Sequence, residues 1–150
     1  MQKLADNNGL FLSFIGGVKG NLQDTSTPPG WATILTGEWI DKHEVDWDGI
    51  LNPNVPTVLM EYALKGKKTV FNGIWKKHFD VTYSKEIEKC EKENLPLNYI
   101  RCENNDDLLR NKMIQSVTTD NCDISFCIFE YPDHNGHCTK YGFWKQNRCT

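Results

Sequence analysis

The distribution of the six cysteines constrains this chain more than any other feature of its sequence. All six lie between Cys90 and Cys149, and the first 89 residues contain none. The count is even and no C-x-x-C pair occurs, which disfavours zinc ribbons and thioredoxin-like redox motifs. Three disulfides are therefore expected, with scattered buried thiols as the alternative. The cysteines predicted to form them are Cys90, Cys102, Cys122, Cys127, Cys138 and Cys149.

The C-terminal stretch 122–149 is predicted to form a β-hairpin that carries four of these cysteines. Its strands are 123–131 and 137–144, joined by a Pro/Asp/Asn/Gly turn. Cys122 and Cys127 are five residues apart, so in a strand they would point to opposite faces and could not pair with each other. The disulfides are therefore expected to reach back to Cys90 and Cys102, which lie outside the hairpin.

Length and charge favour one domain, 1–150, and exclude several function classes. A chain of 150 residues with a net charge of −3 lacks the basic face that nucleic-acid binding or a membrane surface would require. The longest apolar run, 9–18, is too short for a transmembrane helix, and we expect no membrane insertion. Acidic and amide residues precede it, so it is interpreted as a buried strand after removal of a signal peptide. Residues 1–8 are expected to be disordered.

The pattern of alternating apolar residues predicts mostly strands. The predicted strands are 10–15, 31–40, 57–64, 69–75, 79–83, 97–102 and the two strands of the hairpin. Short helices are predicted over 84–94 and 105–117, each with charged or capping residues in its first turn. The fold class that follows is mainly β (α+β), a single antiparallel β-sandwich or barrel-like domain with one or two short helices, stabilised by disulfides.

Two histidine-containing segments are candidates for chemistry. His134 and His137, with Asp133 and Cys138, could bind zinc or copper, although an exposed turn explains them better. His43 lies in an acidic run that could support acid–base work, but the run lacks the spacing of a calcium loop. No cofactor is expected.

Aromatic residues and a basic cluster are the favoured binding candidates. Aromatic side chains can fill a core, line an apolar cavity or form a patch for a protein partner, and the lysines could receive an anionic ligand or an acidic partner. The predicted binding residues are Trp39, Trp47, Trp75, Lys76, Lys77 and His78.

A short motif resembles one known family. Gly37-Glu38-Trp39 resembles the G-x-W motif of lipocalins, which are closed barrels that carry small apolar ligands. The resemblance covers three residues and implies a barrel with an apolar cavity. The late cysteines and the two helices depart from the lipocalin pattern.

Three functions are therefore expected, in order of preference. The first is a secreted domain that binds a protein as a soluble modulator or ligand, with immune modulation as one example. The second is a small-molecule carrier with an apolar barrel cavity. The third is a secreted hydrolase with a His/carboxylate site, for which no nucleophile motif such as G-x-S-x-G is present.

Overall fold

A three-stranded parallel sheet forms the centre of the fold in the computed structural model, which describes residues 16–18, 20–103, 105–131, 133 and 136. The strands are β1 (Gly17–Val18), β2 (Asn21–Leu22), β3 (Thr69–Gly73), β4 (Leu97–Arg101) and β5 (Ile124–Cys127). The α-helices are α1 (Thr27–Thr36), α2 (Ile40–His43), α3 (Val58–Leu64), α4 (Ser84–Glu93) and α5 (Asp106–Thr118). A π-helix, His78–Thr82, precedes α4, and β1 pairs with β2 in a separate antiparallel ribbon.

The central sheet has the strand order β4-β3-β5, and both pairs are parallel. All five residues of the middle strand β3 are buried, as expected for a parallel strand covered on both faces. Phe71 pairs with Tyr99 in β4 and with Phe126 in β5, so three aromatic side chains lie side by side on one face. The crossover from β3 to β4 contains α4, and the crossover from β4 to β5 contains α5.

Helices cover the two faces of the sheet unequally. Helices α1, α3 and α4 pack on the face that carries Phe71, where they form the main hydrophobic core. Helix α5 packs on the opposite face, where Leu109 contacts a smaller cluster and Ser116 hydrogen-bonds to Ser125 of β5 at 2.8 Å. The connection from β3 to β4 crosses one face of the sheet towards one edge, and the connection from β4 to β5 crosses the other face towards the opposite edge. This reversal of winding marks a topological switch point between β3 and β5.

Helices α1 and α3 begin at helix-start signals, although the apolar alternation of their sequences predicts strands. Pro28 and Pro29 occupy the first turn of α1, where the missing N–H groups leave no hydrogen bond unmade. The Thr57 side chain caps α3 by accepting a hydrogen bond from the Met60 N–H at 3.1 Å. The side chains that α3 buries are Leu59, Met60 and Ala63, which is helical spacing.

The predicted fold class is therefore wrong. The described residues form neither an antiparallel sandwich nor a barrel, and the protein is a small α+β fold rather than a β-rich one. Segments 31–40, 57–64 and 79–83, predicted as strands, are wholly or largely helical. The lipocalin-like motif is not in a strand, since Gly37 ends α1 with φ of 73° and Trp39 immediately precedes α2. The strand at 10–15 and the second hairpin strand lie outside the described residues.

The predicted disulfides are also wrong for the cysteines that the structure describes. Cys90, Cys102, Cys122 and Cys127 are free thiols, while Cys138 and Cys149 lie outside the described residues. Cys127 is the last residue of β5 and Cys102 directly follows β4, and β3 lies between these two strands. Two strand spacings amount to about 10 Å, which exceeds the reach of a disulfide. Nothing in the described part of the chain supports secretion or immune modulation.

Thiol labelling should confirm these free cysteines. In denaturant without reductant, an alkylating reagent should modify Cys90, Cys102, Cys122 and Cys127 completely, as found by peptide mass spectrometry. In the native protein Cys90 and Cys102 should react slowest, because both are buried, burial raises the pKa of each thiol, and the thiolate is the reactive form. A pre-reduced sample is the control. Disulfide-linked peptides among these four residues would contradict the structure.

No helix among the described residues is both long and apolar enough to cross a membrane.

Candidate functional site

A cavity in the described structure lies at the carboxyl ends of β3 and β5. Its volume is about 490 Å³, within the range of small-molecule sites. In open sheets with parallel strands, ligands bind outside the carboxyl ends of the strands at a switch point, and this cavity occupies that position. Its lining residues are Thr27, Trp31, Trp47, Trp75, His78, Ile128, Phe129, Glu130 and Asp133.

The segment after β3 contributes Trp75 and His78. The chain continues into the π-helix, in which the Tyr83 N–H donates to the His78 carbonyl at 2.9 Å. Such a widened turn often marks a functional position, because it redirects side chains that a regular helix would bury. His78 is 1% exposed and contacts the edge of the Trp75 ring, with centroids 5.0 Å apart.

The His78 imidazole is held among aromatic rings and is neutral at physiological pH. Tyr83 stacks on it with centroids 5.9 Å apart, and Phe71 lies at the same distance edge-on. Burial lowers the pKa of His78 to about 4. Its Nδ1 atom is buried and has no hydrogen-bond partner among the described residues. This side chain can therefore exchange a hydrogen bond with a ligand, but it is a weak base for catalysis.

The loop 44–49 places Trp47 at the mouth of the cavity. The Asp46 carboxylate accepts a hydrogen bond from the Asp48 N–H at 3.0 Å, which closes a tight turn around Trp47. Gly49 is required in this turn, since a Cβ there would lie 2.6 Å from the Asp46 nitrogen. Trp47 is 52% exposed and lies 5.9 Å from Trp75 between ring centroids.

Lys77 fastens this loop to the segment after β3. Its ammonium lies 4.3 Å from the centroid of Trp47 and 5.8 Å from that of Trp75. The same ammonium pairs with the Asp48 carboxylate at 2.5 Å. The two indoles therefore already hold one cation, through the attraction between a positive charge and the face of an aromatic ring.

Helix α1 and the segment after β5 close the other sides of the cavity. Trp31 of α1 packs edge-on against Phe126 of β5 with centroids 5.8 Å apart. Beyond β5, the backbone N–H of Tyr131 donates to the Asp106 carboxylate at 3.1 Å, which anchors this segment to the start of α5. Glu130 and Asp133 bring two carboxylates to the lining.

The structure brings four of the six predicted binding residues together. Trp47, Trp75 and His78 line the cavity, and Lys77 packs against the two indoles. Trp39 is half-buried before α2 and does not line the cavity. Lys76 has a 70% exposed side chain and pairs with Asp80 at 3.5 Å. A role for all six in binding stays a prediction.

The other predicted candidates divide into structural and undescribed residues. His43 is fully buried, where its Nδ1 accepts a hydrogen bond from the Val45 N–H and its Nε2 lies 3.1 Å from the Thr33 hydroxyl. These contacts stabilise the turn after α2, and an acid–base role for His43 stays a prediction. His134 and His137 lie outside the described residues. No group of three or more metal-binding side chains occurs among the residues that are described.

Sequence reasoning missed the residues that complete the cavity. The sequence pattern predicts a strand at Trp31 and a hairpin at Phe129, Glu130 and Asp133, which does not bring these residues to one cavity. The sequence signal that could have found these residues is the alternation of strands and helices over 69–127. Such alternation indicates a parallel sheet, in which the residues that follow β3 and β5 lie at the same edge.

One exposed apolar surface is relevant to a protein partner. Met113, Ile114 and Val117 of α5 are 37%, 53% and 57% exposed. Val117 lies four residues after Met113 and three after Ile114, which places the three side chains on one side of the helix. An exposed apolar patch can mark a protein interface. The predicted protein partner stays a prediction, since nothing in the described structure identifies what would cover this surface.

Acidification should destabilise the protein through His78. An unfolded histidine titrates near pH 6.5, while burial lowers the pKa of folded His78 to about 4. The unfolded state therefore binds the proton first, so the contribution to stability is complete above about pH 6.5 and is lost as the pH falls towards 4. A pKa unit corresponds to about 1.4 kcal/mol, so the total loss is on the order of 3 kcal/mol.

Urea unfolding at several pH values measures this effect. The His78→Gln variant should lose less stability than wild type between pH 6.5 and 4.5. Burial also lowers the pKa of His43, with the same sign, so the difference between the two proteins isolates His78. If the free energy of unfolding depends on pH equally in both proteins, the lowered pKa of folded His78 is contradicted.

Comparison with known proteins adds no relative to this geometry: no family model, no curated protein and no solved structure matches the chain.

Proposed function

We propose that this protein binds a small organic molecule in the cavity at the carboxyl ends of β3 and β5, hereafter the switch-point cavity. The observation that carries this proposal is the coincidence of an aromatic-lined space of about 490 Å³ with the reversal of strand winding. A cavity of this size encloses a ligand of a few rings.

The lining supports binding more than catalysis. Three indoles and Phe129 offer apolar surface, while Thr27, His78 and the carboxylates offer a few polar groups for orientation. The aromatic walls come from four separate segments, and hydrogen bonds and the Lys77 ion pair hold two of these in place. A preformed wall of this kind reduces the ordering that a ligand must induce. The hydrolase alternative would need a stronger base than His78 supplies.

Nuclear magnetic resonance of the tryptophan indole N–H groups tests the proposal. A library of small aromatic fragments should shift the signals of Trp31, Trp47 and Trp75 in a saturable manner, and leave that of Trp39 unchanged. The Trp47→Leu variant removes one wall from an exposed position, so it should fold and bind more weakly. Trp39→Leu is the matched control. Fragments that shift only Trp39, or none of the indoles, would contradict the proposal.

A further inference from the structure

We infer that the ligand of the switch-point cavity is an uncharged aromatic molecule, and that the site discriminates against phosphorylated and cationic compounds of similar size. This inference rests on the proposed binding function and specifies its ligand class. It follows from the first turn of α1, from the position of the Lys77 ammonium and from the aromatic surface that the cavity offers.

The first turn of α1 lacks the N–H groups of an anion site. Thr27, the first residue of this helix, lines the cavity. A helix N-terminus in such a position commonly holds a phosphate, which accepts hydrogen bonds from the backbone N–H groups of the first turn. The next two residues are Pro28 and Pro29, which have no N–H, and the Gly30 N–H already donates to the Ser26 carbonyl at 3.2 Å. Of the first four residues of α1, only Thr27 can therefore offer a backbone N–H to a phosphate.

Side chains near the cavity do not replace these missing donors. No lysine or arginine is present among the lining residues that the structure describes. The two lysines next to the cavity have carboxylate partners, since Lys76 pairs with Asp80 at 3.5 Å and Lys77 pairs with Asp48 at 2.5 Å. An anionic ligand would have to compete with both pairs, so the site is poorly suited to a phosphate or a carboxylate.

The cation-binding surface of two indoles is already occupied. The Lys77 ammonium lies 4.3 Å from the centroid of Trp47 and 5.8 Å from that of Trp75. A cationic ligand placed on these rings would meet this ammonium and be repelled by the like charge. Glu130 and Asp133 have interaction partners within the protein, so neither is a free carboxylate that could compensate for this repulsion.

Uncharged aromatic surface is what the cavity offers to a ligand. The rings of Trp31, Trp75 and Phe129 line it, and they can pack edge-on or offset against the rings of a ligand without any ionic contact. Thr27 adds a hydroxyl, and the low pKa of His78 leaves its imidazole neutral at pH 7. A ring system that carries a hydroxyl or amide group matches this combination.

A matched probe series tests the discrimination by charge. Benzyl alcohol, benzyl phosphate and benzyltrimethylammonium share a benzyl group and are neutral, anionic and cationic. Titration of each into the full chain is followed by the indole N–H signals of Trp31, Trp47 and Trp75. Benzyl alcohol should bind about fivefold more tightly than either charged probe.

Replacing the two prolines tests the cause of anion discrimination. Pro28→Ala combined with Pro29→Ala restores two N–H groups to the first turn of α1. The affinity for benzyl phosphate, relative to that for benzyl alcohol, should rise by about fivefold. Pro53→Ala, at an exposed position in the turn before α3, is the control and should leave this ratio unchanged.

Replacing Lys77 tests the cause of cation discrimination. Lys77→Met removes the ammonium from the two indoles, so the affinity for benzyltrimethylammonium, relative to that for benzyl alcohol, should rise by about fivefold. The ratio is the measured quantity because Lys77 also holds the Trp47 loop, and its loss would alter the binding of both probes. Lys76→Met is the control, since Lys76 does not line the cavity, and it should leave the ratio unchanged.

The outcomes separate this inference from the proposed function. If either charged probe binds the wild-type protein as tightly as benzyl alcohol, through the same indoles, the inference is overturned and the binding function stands. Ratios that stay unchanged in the proline and Lys77 variants overturn the assigned causes of the discrimination. If none of the three probes shifts the indole signals of the folded protein, the inference and the switch-point cavity as a binding site both fail.

Discussion

Replacing Phe71 with alanine should destabilise the protein by about 4 kcal/mol, the largest effect of any single substitution considered. Phe71 is fully buried in the middle strand β3. Its ring lies 5.3 Å from that of Tyr99 and 5.8 Å from that of Phe126, between centroids, so it joins the two outer strands through their side chains. The ring also contacts His78, Phe79 and Tyr83, and its loss would open a cavity beneath the π-helix.

Chemical denaturation of Phe71→Ala and of a matched variant measures this effect. Phe129→Ala removes the same ring from a residue that is 41% exposed, and it should change the free energy of unfolding by less than about 1 kcal/mol. Since Phe129 lines the switch-point cavity, that variant should instead weaken ligand binding. Similar destabilisation by the two substitutions would mean that Phe71 is not at the centre of the core.

Replacing Glu86 with alanine should destabilise the protein by about 3 kcal/mol, the second largest effect. Glu86 is a 7% exposed carboxylate of α4 that accepts three hydrogen bonds. The donors are the Thr57 N–H at 3.0 Å, the Thr57 hydroxyl at 2.6 Å and the Tyr99 hydroxyl at 2.5 Å. Burial and the adjacent Glu86 carboxylate raise the pKa of Tyr99 well above its ordinary value, so its hydroxyl stays protonated and donates. Alanine would leave these buried donors without an acceptor.

Glu88→Ala is the matched control for this prediction. Glu88 lies on the same helix, is exposed and pairs with Lys85 at 3.3 Å. Such surface pairs contribute at most about 1 kcal/mol, so this variant should unfold at nearly the wild-type denaturant concentration. Tyr99→Phe should give a smaller loss than Glu86→Ala, because two donors would remain satisfied. Equal stability of Glu86→Ala and Glu88→Ala would exclude a role for Glu86 in joining α3, α4 and β4.

The elements between residues 69 and 127 could be predicted from sequence, but their arrangement could not. Strands at 69–75 and 97–102 and helices at 84–94 and 105–117 agree with β3, β4, α4 and α5 within a few residues. Together with β5 they form the strand–helix alternation of a parallel sheet. The alternation was obscured by false strands on either side of β3, and those strands made an antiparallel sheet the more natural interpretation.

The false strands have a physical explanation in local composition. Segments 31–36 and 57–64 contain threonine, isoleucine, valine and aromatic residues, which favour strands when considered alone. Their helical state depends on an end signal, the two prolines of α1 and the Thr57 cap of α3, and on burial against Phe71. Tertiary burial of this kind overrides local propensity and is not visible in a short window of sequence.

The candidate site was partly predictable for a different reason. Trp47, Trp75, Lys77 and His78 were singled out by residue type, because aromatic and basic side chains in clusters suit binding. The structure explains their proximity through the turn at Gly49 and the Lys77 ion pair. Trp31, Glu130 and Asp133 come from distant segments, and only the strand order brings them to the same edge of the sheet.

The most direct test of small-molecule binding at the switch point is a crystallographic fragment soak of the full chain. We expect density for aromatic fragments between Trp75 and Phe129. Fragments that leave this cavity empty and collect instead on the Met113, Ile114 and Val117 surface of α5 would contradict the proposed site and favour a protein partner.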